Sequence, residues 1–129
     1  MVTLYTFDLC KQLHELKPGW TPEDRLFIRR KGDNPEIVKD PKFVYRVDQA
    51  PRFTVDYLLE KLPNRITNSC CSGVLTLIAD KPNIFKNGWM VGYIDDTGQP
   101  MQGNLYAIGK TALDAVLQLA IEMAESEEI

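Results

Sequence analysis

Between Lys110 and Ile129 the polar residues Asp114, Gln118, Glu122 and Glu125 form one narrow stripe at helical spacing. Leu113, Val116, Leu117, Ala120, Ile121 and Ala124 cover one side of that helix, and Ala112, Ala115, Leu119 and Met123 flank it. This apolar arc is wider than a surface helix needs, so the helix must pack against two things. A sheet on one side and a second helix or a second subunit on the other would satisfy it. Thr111, with Asp114 three residues later, resembles a capping box in which an Asp replaces the usual Glu. A second helix is predicted from Thr3 or Thr6 to Leu16, with Leu9, Leu13 and Leu16 on one face and Pro18-Gly19 ending it. A third, shorter helix runs from Val55 to Leu62. Phe53 and Leu58 have the spacing of a hydrophobic staple around Thr54, and Pro63-Asn64 closes the segment.

Between the helices the pattern changes to strands. Arg25-Leu-Phe-Ile-Arg reads as one strand, Lys31-Gly-Asp-Asn-Pro as a turn, and Phe43 to Val47 as a second strand with Phe43, Tyr45 and Val47 on one face. After the small, polar stretch from Thr67 to Gly73, Val74 to Ala79 is apolar enough for a central strand, and Lys81-Pro-Asn breaks it. Trp89 to Ile94 follows, and Asp95-Asp-Thr-Gly is a strong hairpin turn with Gly98 in the left-handed position. Gln102 to Ile108 is the returning strand. The order α-β-β-α-β-β-β-α predicts a single α+β domain over residues 1–129, a mostly antiparallel sheet of about five strands with helices packed on it.

Composition narrows the class without naming a function. A chain of 129 residues with 44% apolar and 26% charged residues suits one globular domain. No apolar run approaches the ~20 residues of a membrane span, and the first residues lack the basic start and cleavage site of a signal peptide. Three cysteines, two of them adjacent at Cys70 and Cys71, make no disulfide framework. The expectation is a cytoplasmic protein. Residues 1–66 carry a net charge of +2 and residues 67–129 one of −5. Arg29, Arg30, Lys31, Lys39, Lys42, Arg46 and Arg52 could form a patch for phosphate or an acidic partner. The acidic pI of about 5.1 and the interspersed acids favour solvated strands and loops instead.

Four constellations could carry chemistry, and each has a plainer explanation. Gly103-Asn-Leu-Tyr-Ala-Ile-Gly109-Lys-Thr places five residues between the glycines where a phosphate loop has four, and bulky side chains where amides must wrap the phosphate. A strand end plus a helix cap accounts for it. Cys10 and His14 share a helix face at metal-ligand spacing, but Cys70 and Cys71 would have to complete the site, and adjacent cysteines rarely direct both sulfurs to one ion. Cys70 or Cys71 with His14, the single histidine, could form a thiolate and its base, although most such cysteines are inert fillers. Asp80, Asp95 and Asp96 lie at strand ends, where Asp serves turns by local hydrogen bonding. Trp20 and Trp89 remain as core or interface anchors, with Trp89 alternating with Val91 and Tyr93 as core residues do.

The segment from Trp89 to Ala124, with Trp-Met-Val-Gly-Tyr-Ile, Asp-Asp-Thr-Gly and Ala-Ile-Gly-Lys-Thr-Ala-Leu-Asp-Ala-Val-Leu-Gln-Leu-Ala, resembles the closing portion of the phage ABA sandwich family. That resemblance covers about a quarter of the chain and implies an αβ sandwich of phage origin with no assigned catalytic site. The same pattern is also similar to HicB-type antitoxins, whose strand pair and Ala-rich helix form a partner-binding core, without a counterpart of their DNA-binding segment. The expectation is therefore a non-enzymatic protein, with no cofactor or metal, that binds a host protein as an adaptor or inhibitor. Leu119 and Met123 would support a homodimer, and Arg29, Arg30 and Arg46 a polar contact. Two rivals are a nucleic-acid-binding or antitoxin-like module using the basic strands, and a small cysteine-dependent hydrolase.

Overall fold

A computed structural model describes residues 3–21, 26–39, 48–67, 72–79, 88–101, 105–127 and 129. Helix α1 (Leu4–Leu16) is followed by β1 (Leu26–Lys31), β2 (Asn34–Lys39), β3 (Gln49–Pro51), α2 (Val55–Lys61), β4 (Arg65–Thr67), β5 (Ser72–Ala79), β6 (Trp89–Ile94), β7 (Tyr106–Gly109) and α3 (Ala112–Glu125). The class is α+β, with every strand pairing antiparallel. The strands form two sheets, in the orders β2-β1-β3 and β4-β5-β6-β7, where the sequence pattern predicted one sheet of about five strands.

The helices begin where their caps place them. Thr3 caps α1 by accepting from the Thr6 N–H, and the Thr6 hydroxyl oxygen in turn accepts from the Thr3 N–H, a reciprocal box in which Thr replaces Glu. Thr54 caps α2 and Thr111 caps α3, each accepting from the amide three residues on. Phe53 and Leu58 are both buried, as the staple requires. Tyr93, fully buried, donates from its hydroxyl to the Pro63 carbonyl at 2.7 Å and so ties β6 to the end of α2.

The first hairpin differs from the expected one. Its second strand begins at Asn34, because Gly32, at φ +63°, sits first in a two-residue turn and lets the chain reverse at once. The expected strand from Phe43 to Val47 lies outside the described residues, and β3 takes the other side of β1. β4 was not expected: of its three residues only Ile66 packs against the core, between exposed Arg65 and Thr67, and one apolar residue carries little hydrophobic signal.

Helix α1 packs on the three-stranded sheet, α3 packs on β6 and β7, and the two helices pack on each other. They run parallel. The Thr6 hydroxyl donates to Asp114 Oδ1 at 2.7 Å near both N-terminal ends, Gln12 Nε2 donates to Glu125 Oε1 at 3.1 Å further along, and Lys17 Nζ donates to the Ile129 carbonyl at 2.6 Å. Parallel helices align their dipoles unfavourably, and a carboxylate buried beside both positive ends offsets that cost. Asp114 is this carboxylate, so its side chain serves α1 and does not close a capping box in α3.

The wide apolar arc of α3 is thereby satisfied within one chain. Leu119 and Met123, expected to support self-association, are 0% exposed and lie in the same core as Phe7, Leu13, Tyr93 and Val116. The second element that α3 needed is α1, with α2 packing on it as well. Each such side chain contributes roughly 1.5–3 kcal/mol by leaving water, so neither can face a second copy without dismantling the core. No helix among the described residues is long and apolar enough to cross a membrane.

Candidate functional surface

The cysteine and histidine constellations separate in three dimensions. Cys10 is completely buried, and burial pushes its thiol up to about 12 despite the opposing Phe53 amide. A thiol held neutral in this way is a core filler, neither nucleophile nor metal ligand. His14, one turn on, is only partly buried, and desolvation holds its imidazole below the usual range. Cys70 and Cys71 lie outside the described residues. Among the described residues no group of three His, Cys, Asp or Glu side chains could hold a metal ion.

The glycine-lysine-threonine segment is a packing device. Gly109 ends β7, and a Cβ there would stand 2.5 Å from the Ala115 nitrogen, so the missing side chain lets the first turn of α3 lie against the strand. Thr111 spends its hydroxyl on the Asp114 amide at 3.1 Å. Gly103 and Asn104 lie outside the described residues. Asp95 accepts from the amides of Thr97 (2.9 Å) and Gln99 (3.1 Å), closing a turn in which Gly98 has φ +81°. The Thr97 hydroxyl and then the Gln99 amide hold the Asp95 carboxyl below its usual range. Asp96 is exposed beside it, and Asp80 lies outside the described residues.

Arg29 and Arg30 are neighbours in β1 and therefore point to opposite faces of its sheet. Nε and Nη2 of Arg29 donate to Gln49 Oε1 at 3.1 and 2.7 Å, and Arg30 Nε donates to the Gly32 carbonyl at 3.0 Å. They cannot make one contact together as expected. Arg46 and Lys42 lie outside the described residues, while Lys31 and Lys39 are solvated. Trp20 and Trp89 are half-buried against the core.

The surface that sequence reasoning missed is the face of the four-stranded sheet turned away from α3. The register aligns Val74 with Ile94, Thr76 with Gly92 and Tyr106, and Ile78 with Met90 and Ile108 on that face. Met90, between Ile78 and Ile108 at one end of the face, is fully buried, whereas Val74, Tyr106 and Ile108 are 44, 42 and 41% exposed. Beside the end of β7 a cavity of about 670 Å³ lies between Ile108, Lys110, Thr111 and the first turn of α1, where Tyr5 is half exposed. The chain matches no protein-family model, no curated protein and no solved structure. The alternation Tyr-Ala-Ile-Gly was a readable signal for two outward side chains. Which way was outward depended on the position of α3.

Proposed function

We propose that this is a small non-enzymatic protein of phage or mobile-element type that acts by binding a host protein, as an adaptor or inhibitor. One observation carries the reading: three large apolar side chains, Val74, Tyr106 and Ile108, stand over two-fifths exposed on a single sheet face. Apolar side chains gathered on one exposed face are a recurring mark of protein-binding surfaces. The similarity of the closing strand, turn, strand and helix to the phage ABA sandwich family supports the origin. A nucleic-acid reading draws no support from Arg29 and Arg30, which face opposite ways.

The experiment is capture from nuclease-treated host lysate by the tagged protein and by its Val74→Lys, Thr76→Lys variant, which charges the centre of the face without touching its edge. A stoichiometric protein held by the first bait and lost from the second is the expected result. A set of bound proteins indifferent to the substitutions, or nucleic acid alone before nuclease treatment, would remove the reading.

A further inference from the structure

The hydrogen-bond phase of each ladder decides which backbone groups face the free edges. Tyr93 N–H donates to the Leu105 carbonyl at 3.0 Å, in the register that also pairs Val91 with Ala107 and Trp89 with Gly109. Bonded and non-bonded pairs alternate in an antiparallel ladder, so the odd residues of β7 bond to β6, and Tyr106 and Ile108 turn their N–H and C=O outward. Among the described residues, no hydrogen bond engages these outward groups.

The other edges differ. Arg30 N–H donates to the Asp48 carbonyl and Arg52 N–H to the Leu26 carbonyl, so even residues of β1 bond to β3 and odd ones to β2. The outward positions are then Pro35, Ile37 and Lys39 in β2, and Gln49 and Pro51 in β3. Each row contains a proline at a position whose N–H would have pointed out, which removes a donor where a foreign strand would pair. In β4, Leu75 N–H donates to the Asn64 carbonyl, leaving Arg65 and Thr67 outward with a cation on the edge. Among the described edge strands, only β7, Tyr-Ala-Ile-Gly, has neither a proline nor a charge in its row.

We propose that β7 is a self-pairing edge, and that two copies of this chain join antiparallel across a twofold axis at Ala107 to fuse two four-stranded sheets into one. The edge is complementary to itself. With the axis at Ala107, Tyr106 of each copy stands opposite Ile108 of the other, and both pairs are outward residues, so the two exchange four N–H···O=C bonds. Tyr106 and Ile108 share one sheet face, which gives two aromatic–β-branched cross-strand pairs. Ala107, the residue on the axis, carries only a methyl on the inner face, and the nearest charge, Lys110, is three residues away in opposite directions on the two copies. The two ammonium groups are thus about 20 Å apart along the strands and do not oppose pairing. The inference is independent of any host partner: the fusion sets the outer faces of the two copies side by side and leaves Val74 of each exposed.

The test is sedimentation equilibrium of the purified full chain from about 1 µM to about 1 mM, a range that spans weak and moderate dimers. Wild type is expected to reach twice its 14.7 kDa mass as concentration rises. Ile108→Pro deletes one outward N–H per copy and no ladder bond within the chain, and is expected to weaken association by about a hundredfold through the loss of two of the four bonds. If circular dichroism shows that this variant does not fold, Tyr106→Lys with Ile108→Lys places four ammonium groups around the axis and is expected to abolish the dimer. Monomeric wild type at the highest concentration overturns the proposal, even where a host protein is found on the same edge. So does a dimer that none of these substitutions weakens.

Discussion

In the three-stranded sheet both free edges carry a proline at an outward position, Pro35 in β2 and Pro51 in β3, whereas the four-stranded sheet guards one edge with Arg65 and leaves the other, β7, with two unblocked residues. Exposed strand edges are templates for pairing with other chains, and proline, charge and short length are the usual means of blunting them. Three edges of this protein use those means. β7 is short, yet it is apolar and unblocked, and the sheet face leading to it is the one with half-exposed Val74, Tyr106 and Ile108. Of the two sheets, one is finished by the chain itself and the other offers both an edge and a face.

Both sheets are held by one helical layer, and the largest effect comes from breaking that layer. Leu119→Glu drives a charge into a fully buried site and is expected to cost about 4 kcal/mol or more, unfolding the chain as measured by urea denaturation. A folded variant with altered mass would instead return Leu119 to an interface. Next in size is Thr6→Val, which leaves the buried Asp114 carboxylate without its hydroxyl donor at the junction between the helix of one sheet and the helix of the other. A loss of about 1–3 kcal/mol is expected in the same assay, and no change would mean that the two layers are not clamped there.

A sharper probe exchanges the edges. Pro35→Val restores an outward N–H to β2 and should alter the stability of the monomer by no more than about 0.5 kcal/mol while adding concentration-dependent association through the three-stranded sheet. Unchanged sedimentation would show that proline is not what keeps that edge closed. The smallest effect belongs to His14. Its folded-state pKa lies below the unfolded value of about 6.5, so the unfolded chain binds the extra proton first. The contribution is fully present above pH 6.5 and is lost as pH falls through the folded pKa. His14→Gln should therefore lose less stability than wild type between pH 7.5 and pH 5, and parallel losses in the two proteins would contradict the assignment.

Much of this architecture was legible because local chemistry announced it. Thr54, Thr111 and the Pro18-Gly19 stop set helix limits that long-range packing did not move, and Trp89 to Ile94 is an unbroken run without a charged side chain, as a central strand should be. What could not be read is the choice among partners. The flank of α3 required a second neighbour, but nothing local distinguishes α1 from another subunit, and that choice decided the fate of Leu119 and Met123. The division into two sheets is equally non-local, since β1 takes β2 and β3 on its two sides and β5 takes β4 and β6. The opposite faces of Arg29 and Arg30 were readable from a period of two once they were placed in a strand. The open edge at β7 was not, because it depends on the phase of a ladder, and the phase is fixed only when Tyr93 meets Leu105.

That phase is open to direct measurement. Amide hydrogen exchange along β7 at low concentration should alternate, with Ala107 and Gly109 protected by β6 and Tyr106 and Ile108 exchanging rapidly. Raising the concentration of the purified chain should slow Tyr106 and Ile108 selectively. Uniform protection of all four amides in dilute solution, or rapid exchange at Tyr106 and Ile108 that persists at the highest concentration, would contradict the account of β7 as an open, self-pairing edge.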